Sequence, residues 1–584
     1  MTAPSLLRQK LEHWKDALFI TLSDSEAKLQ PAILGLVVGL LTGVIIVAFR
    51  LLIEVVQKLI LPEAGIENFE QLGGVMRFCL PIITGILIGW LFMAQGSGSL
   101  TVGVVHVMER LSNFHGNLPL RPFFLQFIGA ALALVGGHSV GREGPSIHLG
   151  AAAGSLLGQR MQVPNNTLRL LAGCGTAAAI GASFNTPLAG VIFAMEVVLM
   201  EFSIGSFIPV ILASVSATSI SIAAFGNHPV FTIPPFSLDS LLELPFVVLL
   251  GLLTGAVSTL LITASSQTAA KTKEWPFIVR TTLAGIIVAF CGLVFPQVMG
   301  IGYDTINGAM LGQFTLWALI GILVFKMIAT SAAIGLGIPA GVIGPTLVIG
   351  STLGAIVGYL SITFFPNITS NLGVYSLIGL GAMMAATLQA PLAALLAMLE
   401  LTNHPEIILP GMLAIVIAEL TRSELFKQPS IFKKLLQTRG LDYSATPMSQ
   451  HLTRIGVASV MDNRFANLPA SVSRFKLKEA LKQTPIPKWI LIDADPQPDT
   501  AIPAVELARY LKEGEETETI ELAEIPVQRR TVAGIHLRAT LHEAEAKMHQ
   551  AGIQLLYVFD TPAPDFLRIK GVLRKETIES SYRV

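Results

Sequence analysis

Charged side chains are scarce in this 584-residue sequence, at 13% of all residues, where a soluble globular protein carries about 25%. The shortage is confined to the middle of the chain: residues 1–30 hold 8 charges, 31–420 hold 27 and 421–584 hold 43. Such a distribution excludes a water-soluble body for the central part. It predicts a polytopic membrane protein followed by a soluble C-terminal region.

Other absences exclude further classes of protein. The net charge is zero, so no basic excess indicates a nucleic-acid partner. The three cysteines, Cys79, Cys174 and Cys291, all lie in apolar stretches, which favours packing over a disulfide or a metal site. The sequence has no Walker loop, no spacing typical of a catalytic triad and no metal-ligand cluster. We therefore expect neither an enzyme nor a bound cofactor or metal.

The N-terminal segment is also not typical of a signal peptide. Residues 1–30 are of mixed charge and lack an apolar core followed by a cleavage site. We predict a cytoplasmic N-terminal helix there. Pro31 to Phe49 then provides 19 residues without a charge, about 28 Å as a helix, close to the roughly 30 Å of a bilayer core.

Glycine and proline interrupt many of the apolar stretches that follow. Examples are Gly144-Pro145, Thr186-Pro187, Gly344-Pro345 and Ala390-Pro391. Broken helices at membrane depth release backbone N–H and C=O groups, which is tolerable where protein buries them or where they line a solvated cavity. This pattern favours a transporter or channel over a simple membrane anchor.

An internal repeat indicates where the substrate site lies. Asn185–Glu196 resembles Gln389–Glu400 at an offset of 204 residues, and Gly144-Pro145 recurs as Gly344-Pro345 at an offset of 200. Two halves with breaks at matching places predict a site between them. The spacing leaves open whether the halves are parallel or inverted, and also chance similarity between helices rich in small residues.

The composition changes after the last apolar stretch. Lys427, Lys433, Lys434 and Arg439 follow it, so the positive-inside rule places the C-terminus in the cytoplasm. The tail alternates β-like runs at 488–493 and 555–559 with helical patterns at 476–483 and 540–551. We predict an α/β module there, with the Glu-rich stretch 513–524 as an internal linker.

The densest chemical signal is Gly141-Arg142-Glu143-Gly144-Pro145, between two apolar segments. A charged side chain at membrane depth costs about 2.5–3.5 kcal/mol, so two adjacent ones need a reason. One reading is a buried ion pair that holds a loop. The other is a helix N-terminus whose unpaired N–H groups bind an anion. Glu143 would compete for those donors and leave when protonated, which makes it a gate.

These residues resemble a known family. Gly141–Pro145, Gly341-Val-Ile-Gly-Pro345 and the two Pro-Leu-Ala segments that end in Glu are similar to the CLC family of chloride channels and chloride/proton antiporters. The resemblance implies an all-α polytopic membrane fold, with an inverted repeat of broken helices. Val457–Met461 and Gly571–Glu576 resemble the beginning and end of a cytoplasmic α/β pair of CBS domains. The expected domains are 1–30, 31–440 (repeats at about 31–225 and 240–440) and 441–584.

The resemblance also implies roles for individual residues. Glu143 matches the gating glutamate of the family. Matching positions are expected to line the anion path through backbone amides or side chains, and these are Ser97, Gly141, Arg142, Gly144, Val342, Ile343 and Phe432. Three departures stand out. Gly96-Ser97-Gly98 continues as Ser99-Leu100, the inner tyrosine of the family is replaced by Phe432, and its inner proton-transfer glutamate is replaced by Val197.

Valine carries no proton, so the sequence favours a passive, Glu143-gated chloride channel. The alternatives are a coupled chloride/proton antiporter that uses another inner proton route, and a membrane sensor or transporter of another anion such as bicarbonate, regulated by the CBS pair. Glu196 and Glu400 are interpreted as structural carboxylates at helix ends. Glu201 is an alternative proton carrier or a solvated carboxylate.

The expected partners follow from the same resemblance. They are chloride or a similar small anion, the lipid bilayer and a second copy of the chain in a homodimer. Arg574 and Glu576 stand where nucleotide-binding CBS pairs carry a Ser/Thr and an Asp. This leaves open an adenine nucleotide, or a role of the pair in dimerisation alone. The expected location is a bacterial plasma membrane with the C-terminus in the cytoplasm.

Overall fold

The structure is a computed structural model that describes residues 17–24, 26–61, 68–96, 102–227, 231, 241–366, 368, 371–441, 447–494, 497–513, 518–563 and 566–581. These residues divide into two compact units. One takes its described residues from Met1–Pro31, Met161–Leu168 and Ser444–Val584, and the other from Ala32–Arg160 and Arg169–Tyr443.

The larger unit is helical. Among the described residues, eight helices are long and apolar enough to cross a bilayer. The helices up to residue 438 are α1 (Leu29–Ile60), α2 (Gly74–Ala94), α3 (Val104–Asn113), α4 (Leu120–Val135), α5 (Glu143–Met161), α6 (Asn165–Phe184), α7 (Pro187–Phe193), α8 (Ile204–Phe225), α9 (Leu244–Lys271), α10 (Phe277–Val294), α11 (Tyr303–Met310), α12 (Leu316–Leu336), α13 (Ile343–Phe364), α14 (Leu372–Leu388), α15 (Pro391–Thr402), α16 (Ile408–Leu420) and α17 (Ile431–Thr438).

The sequence repeat is also a repeat of local structure. Helices α6 and α14 each end at a residue with left-handed backbone, Asn185 (φ 60°) and Gln389 (φ 61°). Two residues later, Pro187 and Pro391 begin α7 and α15. Proline has no N–H to donate and is favourable at a first helical position, so each pair forces the preceding helix to stop and a new one to start.

Glycine allows the same close helix contact in both halves. A Cβ on Gly150 of α5 would lie 2.1 Å from the backbone oxygen of Gly175 on α6. In the second half, a Cβ on Gly350 of α13 would lie 2.3 Å from the backbone oxygen of Gly379 on α14. Small residues permit such backbone contact between membrane helices. Equivalent glycines therefore pack α5 against α6 and α13 against α14.

The C-terminal part of the chain is a mixed α/β region. Its strands are β1 (Phe465–Pro469), β2 (Ser471–Ser473), β3 (Trp489–Ala494), β4 (Gln497–Pro503), β5 (Thr519–Glu521), β6 (Arg530–His536), β7 (Leu555–Ala563) and β8 (Phe566–Arg574). Its helices are α18 (Pro447–Arg454), α19 (Val457–Val460), α20 (Arg474–Leu481), α21 (Ala504–Glu513), α22 (Leu541–Ala551) and α23 (Lys575–Ser580).

This region contains one arrangement twice. Strands β1 and β3 are parallel, with α20 between them, and β3 pairs antiparallel with β4, which leads into α21. Likewise β6 and β7 are parallel around α22, and β7 pairs antiparallel with β8 before α23. Strand β4 pairs with β6, so the described strands of both copies join in one sheet of order β1-β3-β4-β6-β7-β8.

Residues Met161–Leu168, from the end of α5 to the start of α6, belong to the smaller unit. The Asn165 backbone N–H donates to the Arg538 carbonyl at 3.0 Å. The Asn166 side chain donates to the carbonyls of Leu22 at 3.1 Å and Arg454 at 3.0 Å. These bonds hold a short segment of the central chain to residues from both ends of the sequence.

Candidate functional site

Two of the predicted helix breaks meet through their backbones. The Gly141 N–H donates to the Gly341 carbonyl, and the Gly341 N–H donates to the Gly141 carbonyl, both at 2.7 Å, in an antiparallel bridge. Helix α5 begins two residues after Gly141, and α13 begins two residues after Gly341. Because the first N–H groups of a helix have no partner within it, the bridge brings together two sets of donors and two positive dipole ends.

The bridge requires residues without side chains. A Cβ on Gly341 would lie 2.5 Å from the Gly144 nitrogen, closer than a carbon atom can approach. A Cβ on Gly141 would lie 1.9 Å from Glu143 Oε2. Glycine at 141 and 341 therefore permits both the contact between the two helix ends and the position of the carboxylate.

Glu143 places its carboxylate between these helix ends. The residue is fully buried, with 0% of its surface exposed. The Gly344 backbone N–H donates to Oε2 at 3.1 Å, and the Tyr303 hydroxyl donates to Oε1 at 3.1 Å. The carboxylate thus uses donors from both the second repeat and α11. A mobile anion would need the same donors.

Arg142, next to Glu143 in the chain, contacts α6 and Tyr303. Its Nη2 donates to the Ser183 carbonyl at 2.9 Å. Its guanidinium carbon lies 5.5 Å from the centre of the Tyr303 ring, a cation–π geometry. Arg142 therefore fixes the loop to the end of α6 and adds positive charge next to the carboxylate.

A cavity of about 570 Å³ extends from the helix ends. Several of its lining residues were predicted to border the anion path, namely Gly144, Val342, Ile343 and Phe432. Phe432 is on α17 and is 5% exposed. The structure thus brings residues from α5, α13 and α17 to one cavity, although they are far apart in sequence.

Charged side chains around this cavity are mostly basic. Lys273, Arg280 and Arg439 line it together with one carboxylate, Glu109. A cleft with an excess of one charge raises the local concentration of ions of opposite charge. The cavity is thus suited to collect anions. The sequence had indicated only Arg439 among these cations, and only as evidence for topology.

Ser97 and Val197 are the two remaining positions predicted from the sequence. Ser97 lies outside the described residues. Val197 lies in the π-helical turn Ala194–Leu199 that continues α7, where it is 5% exposed and belongs to the main apolar core. Its side chain offers no donor or acceptor to a proton at this position.

Glu196 and Glu400 are anchored at helix ends, as interpreted from the sequence. Glu196 accepts from the N–H groups of Leu392 at 3.2 Å and Ala393 at 2.9 Å, at the start of α15. Glu400 accepts from the N–H groups of Leu188 at 2.9 Å and Ala189 at 2.8 Å, at the start of α7. Each repeat therefore caps a helix of the other with a carboxylate.

Two functional neighbours were missed from the sequence. Tyr303 was missed because nothing in its spacing links it to Glu143, 160 residues earlier. Lys326 is fully buried, and its Nζ donates to the carbonyls of Val298 and Gly300 at 3.0 Å and Ile301 at 3.3 Å. A lone lysine in an apolar span was a usable signal. It holds the segment that leads into Tyr303.

Comparison with known proteins gives consistent matches. The family model for voltage gated chloride channels matches residues 79–423. The ClcB-like protein of Ralstonia nicotianae is 32% identical over 368 residues, which cover 62% of this chain and 85% of that protein. The H(+)/Cl(−) exchange transporter ClcA of Vibrio campbellii is 28% identical over 442 residues, covering 72% and 92%.

Solved structures show the same fold. A slow cyanobacterial Cl−/H+ antiporter superposes with a TM-score of 0.62 at 23% identity, over 70% of this chain and 97% of that one. A eukaryotic CLC transporter superposes with a TM-score of 0.60 at 18% identity, over 94% and 97%. The second match extends over the C-terminal α/β region as well as the helical body.

Substitution of Glu196 and Glu400 tests whether these two carboxylates stabilise the fold by capping helices. Replacing Glu196 or Glu400 with Gln removes a charge that accepts two backbone N–H bonds, so each variant should lose about 1–3 kcal/mol of stability. We expect both to lower the melting temperature in detergent by similar amounts, while the pH dependence of anion flux stays unchanged. Glu406→Gln, at an exposed carboxylate, is the matched control. A variant that kept its stability and lost proton movement would instead identify a proton carrier.

Proposed function

We propose that this chain, which belongs to the voltage-gated chloride channel (CLC) family, exchanges chloride for protons across a membrane. Anion transport of the CLC type follows from the family, and proton exchange is the finer proposal. The observation that carries it is the Glu143 carboxylate, buried on donors that an anion would otherwise occupy. Its support among relatives is the exchanger of Vibrio campbellii, which matches 72% of this chain.

Glu143 can couple the movement of chloride to that of a proton, because its carboxylate occupies the anion's donors only while it is ionised. While Glu143 is ionised, its carboxylate fills the space at the helix ends and excludes an anion of the same charge. Protonation removes that charge and with it much of the attraction to the N–H donors and helix dipoles. The neutral side chain then leaves, an anion takes its place, and the proton travels with Glu143. Exchange follows if the proton is released to the opposite solution before the carboxylate returns.

A passive channel is the second candidate, and Val197 favours it. The buried valine leaves the usual inner proton position without a titratable group. The name of the Ralstonia nicotianae relative also contains the words chloride channel. Both candidates use Glu143 as a gate. They differ in whether a proton that reaches Glu143 continues to the inner side.

Under the exchange proposal, Glu201 is the inner proton acceptor. Both oxygens of Glu196 are held by backbone N–H groups, which keeps that carboxylate in place. Glu201 follows five residues later, is half-buried, and accepts from the Ser206 hydroxyl at 2.7 Å. It is the nearest carboxylate after Val197 in the chain, and its partial exposure gives it access to protons from solution.

The transported anion is proposed to be chloride. The backbone donors at Gly344 and at the start of α13 recognise a small anion by charge and size, so bicarbonate is the alternative cargo. Phe432 narrows the cavity with a ring that has no hydroxyl, so it contributes shape and no donor. Ser97 is proposed as a further side-chain donor from its motif.

The remaining parts of the proposal concern assembly and location. The duplicated β-α-β-β-α arrangement supports a CBS pair at 441–584, behind a transmembrane domain at 31–440 and an N-terminal segment at 1–30. We propose that two copies form a homodimer in a bacterial plasma membrane, with the CBS pair in the cytoplasm. The pair then serves either dimerisation or binding of an adenine nucleotide near Arg574 and Glu576.

The gate is tested by Glu143→Gln. A neutral amide of the same size cannot titrate, so chloride flux in liposomes should persist and no longer change between pH 4 and pH 8, and proton movement should stop. Glu406→Gln controls for loss of an exposed carboxylate. Flux that kept its full pH dependence in Glu143→Gln would refute the gate.

The inner route is tested by Glu201→Gln. If Glu201 passes protons between solution and the gate, the variant should retain chloride flux and lose at least about nine-tenths of chloride-driven proton uptake. Both fluxes are measured in the same liposomes with a chloride electrode and a pH electrode. Unchanged proton uptake would exclude Glu201 and place the inner route elsewhere.

A further inference from the structure

We infer that the Tyr303 hydroxyl is a donor shared in turn by the gate and the transported anion. While the gate is closed, the phenol holds the Glu143 carboxylate. Once the carboxylate has left, the same hydroxyl donates to the anion that replaces it. The inference rests on the proposed role of Glu143 as the gate, and it adds a second side-chain donor, besides Ser97, to the backbone N–H groups of the site.

The two oxygens of the Glu143 carboxylate accept from donors on different helices. Oε2 is 3.1 Å from the Gly344 nitrogen, and Oε1 is 3.1 Å from the Tyr303 hydroxyl oxygen. Each oxygen therefore marks a place where negative charge has a donor within hydrogen-bond distance. An anion that occupies the space left by the carboxylate meets both donors, one from α13 and one from α11.

The structure around Tyr303 holds this residue in place. It is the first residue of α11 and follows Gly302, whose φ of 90° sets the turn into the helix. The segment before it is tied down by the three carbonyl bonds of Lys326. The Tyr303 ring packs edge-on against Phe231 at 5.8 Å and Phe184 at 6.4 Å. A donor fixed by its surroundings binds charge without the cost of being ordered first.

Charged side chains lie near Tyr303 on both sides. Arg142 lies over the ring, and Arg50 of α1, paired with Glu54 at 2.7 Å, interacts with both Arg142 and Tyr303. On the α11 side, Asp304 accepts from the Thr305 N–H at 2.8 Å and interacts with Lys326.

A phenol hydroxyl remains protonated at physiological pH. The phenol can therefore act as a donor both to the Glu143 carboxylate and to the anion that replaces it.

Removing this donor should change two measurable quantities. In Tyr303→Phe, the carboxylate loses a hydrogen bond in its blocking position, so protonation and release need less acid. The midpoint of the curve of chloride flux against pH should rise by about one unit. The anion loses the same donor, so the chloride concentration for half-maximal flux should increase at least about five-fold.

The control substitution is Tyr359→Phe. Tyr359 is on α13 with 42% of its surface exposed, so losing its hydroxyl should change neither quantity. Melting temperatures of all variants are measured alongside the fluxes. Because Phe retains the ring and its contacts with Phe231 and Phe184, Tyr303→Phe should melt within a few degrees of the parent protein.

A double variant separates the two roles from a general structural effect. In the Glu143→Gln background there is no carboxylate to hold, so the flux should stay independent of pH when Tyr303→Phe is added, while the loss of apparent chloride affinity should persist. If Tyr303→Phe and the parent protein share the same midpoint and the same half-saturation, the inference is wrong. If the parent protein shows no pH-dependent flux, the proposed gate fails first, and that result is distinguishable because it does not involve Tyr303.

Discussion

The meeting of two helix N-termini at the Gly141–Gly341 bridge is the constraint on which the rest of the site depends. Two reciprocal backbone bonds hold the ends together, and glycine is required because a side chain would collide with the opposite backbone or with the carboxylate. The result is a concentration of unpaired N–H donors and positive dipole ends inside an apolar body. Such a place is stable when an anion fills it, and Glu143 is the anion that the chain itself supplies.

The same interaction occurs a second time with a different outcome. Glu196 and Glu400 each cap a helix of the opposite repeat, and each takes two N–H bonds from consecutive residues of one helix. These carboxylates are fixed in place and join the two halves. Glu143 instead accepts from the Gly344 backbone N–H and from the Tyr303 phenol, which belong to two different helices. A carboxylate with donors on two separate elements, beside a cavity, is the one suited to leave.

Much of this could be predicted from the sequence. The Gly-Arg-Glu-Gly-Pro motif identified the Glu143 carboxylate that is buried between the helix ends, and the repeat offsets predicted that Gly144 and Gly344 would have equivalent places. Glu196 and Glu400 were interpreted as structural carboxylates at helix ends, and the structure adds that each accepts from the first N–H groups of a helix in the other repeat. These features are local, or they repeat a local pattern, so spacing is enough to recognise them.

Other features depended on contacts between distant parts of the chain. Tyr303 reaches Glu143 across 160 residues, and no periodicity encodes that contact. The basic residues of the cavity come from separate helices and meet only in the folded unit. Residues 161–168 are joined to other residues of the smaller unit by hydrogen bonds of Asn165 and Asn166, which a hydropathy pattern cannot show.

Whether the sequence indicates a channel or an exchanger depends on how the buried Val197 is interpreted. Val197 made a passive channel the preferred interpretation of the sequence, since valine carries no proton. One relative is named a chloride channel and others are named H(+)/Cl(−) exchange transporters, and Glu201, which is half-buried and bonded to the Ser206 hydroxyl, follows Val197 by four residues. Under the exchange proposal, the proton would reach Glu143 by an inner route that does not include position 197.

The most direct measurement uses the unmodified protein in sealed liposomes with a chloride gradient and no proton gradient. The account predicts that chloride flowing down its gradient drives protons uphill in the opposite direction, at a ratio that does not change with the size of the gradient. Rapid chloride flux with no proton movement would contradict exchange and leave a Glu143-gated channel.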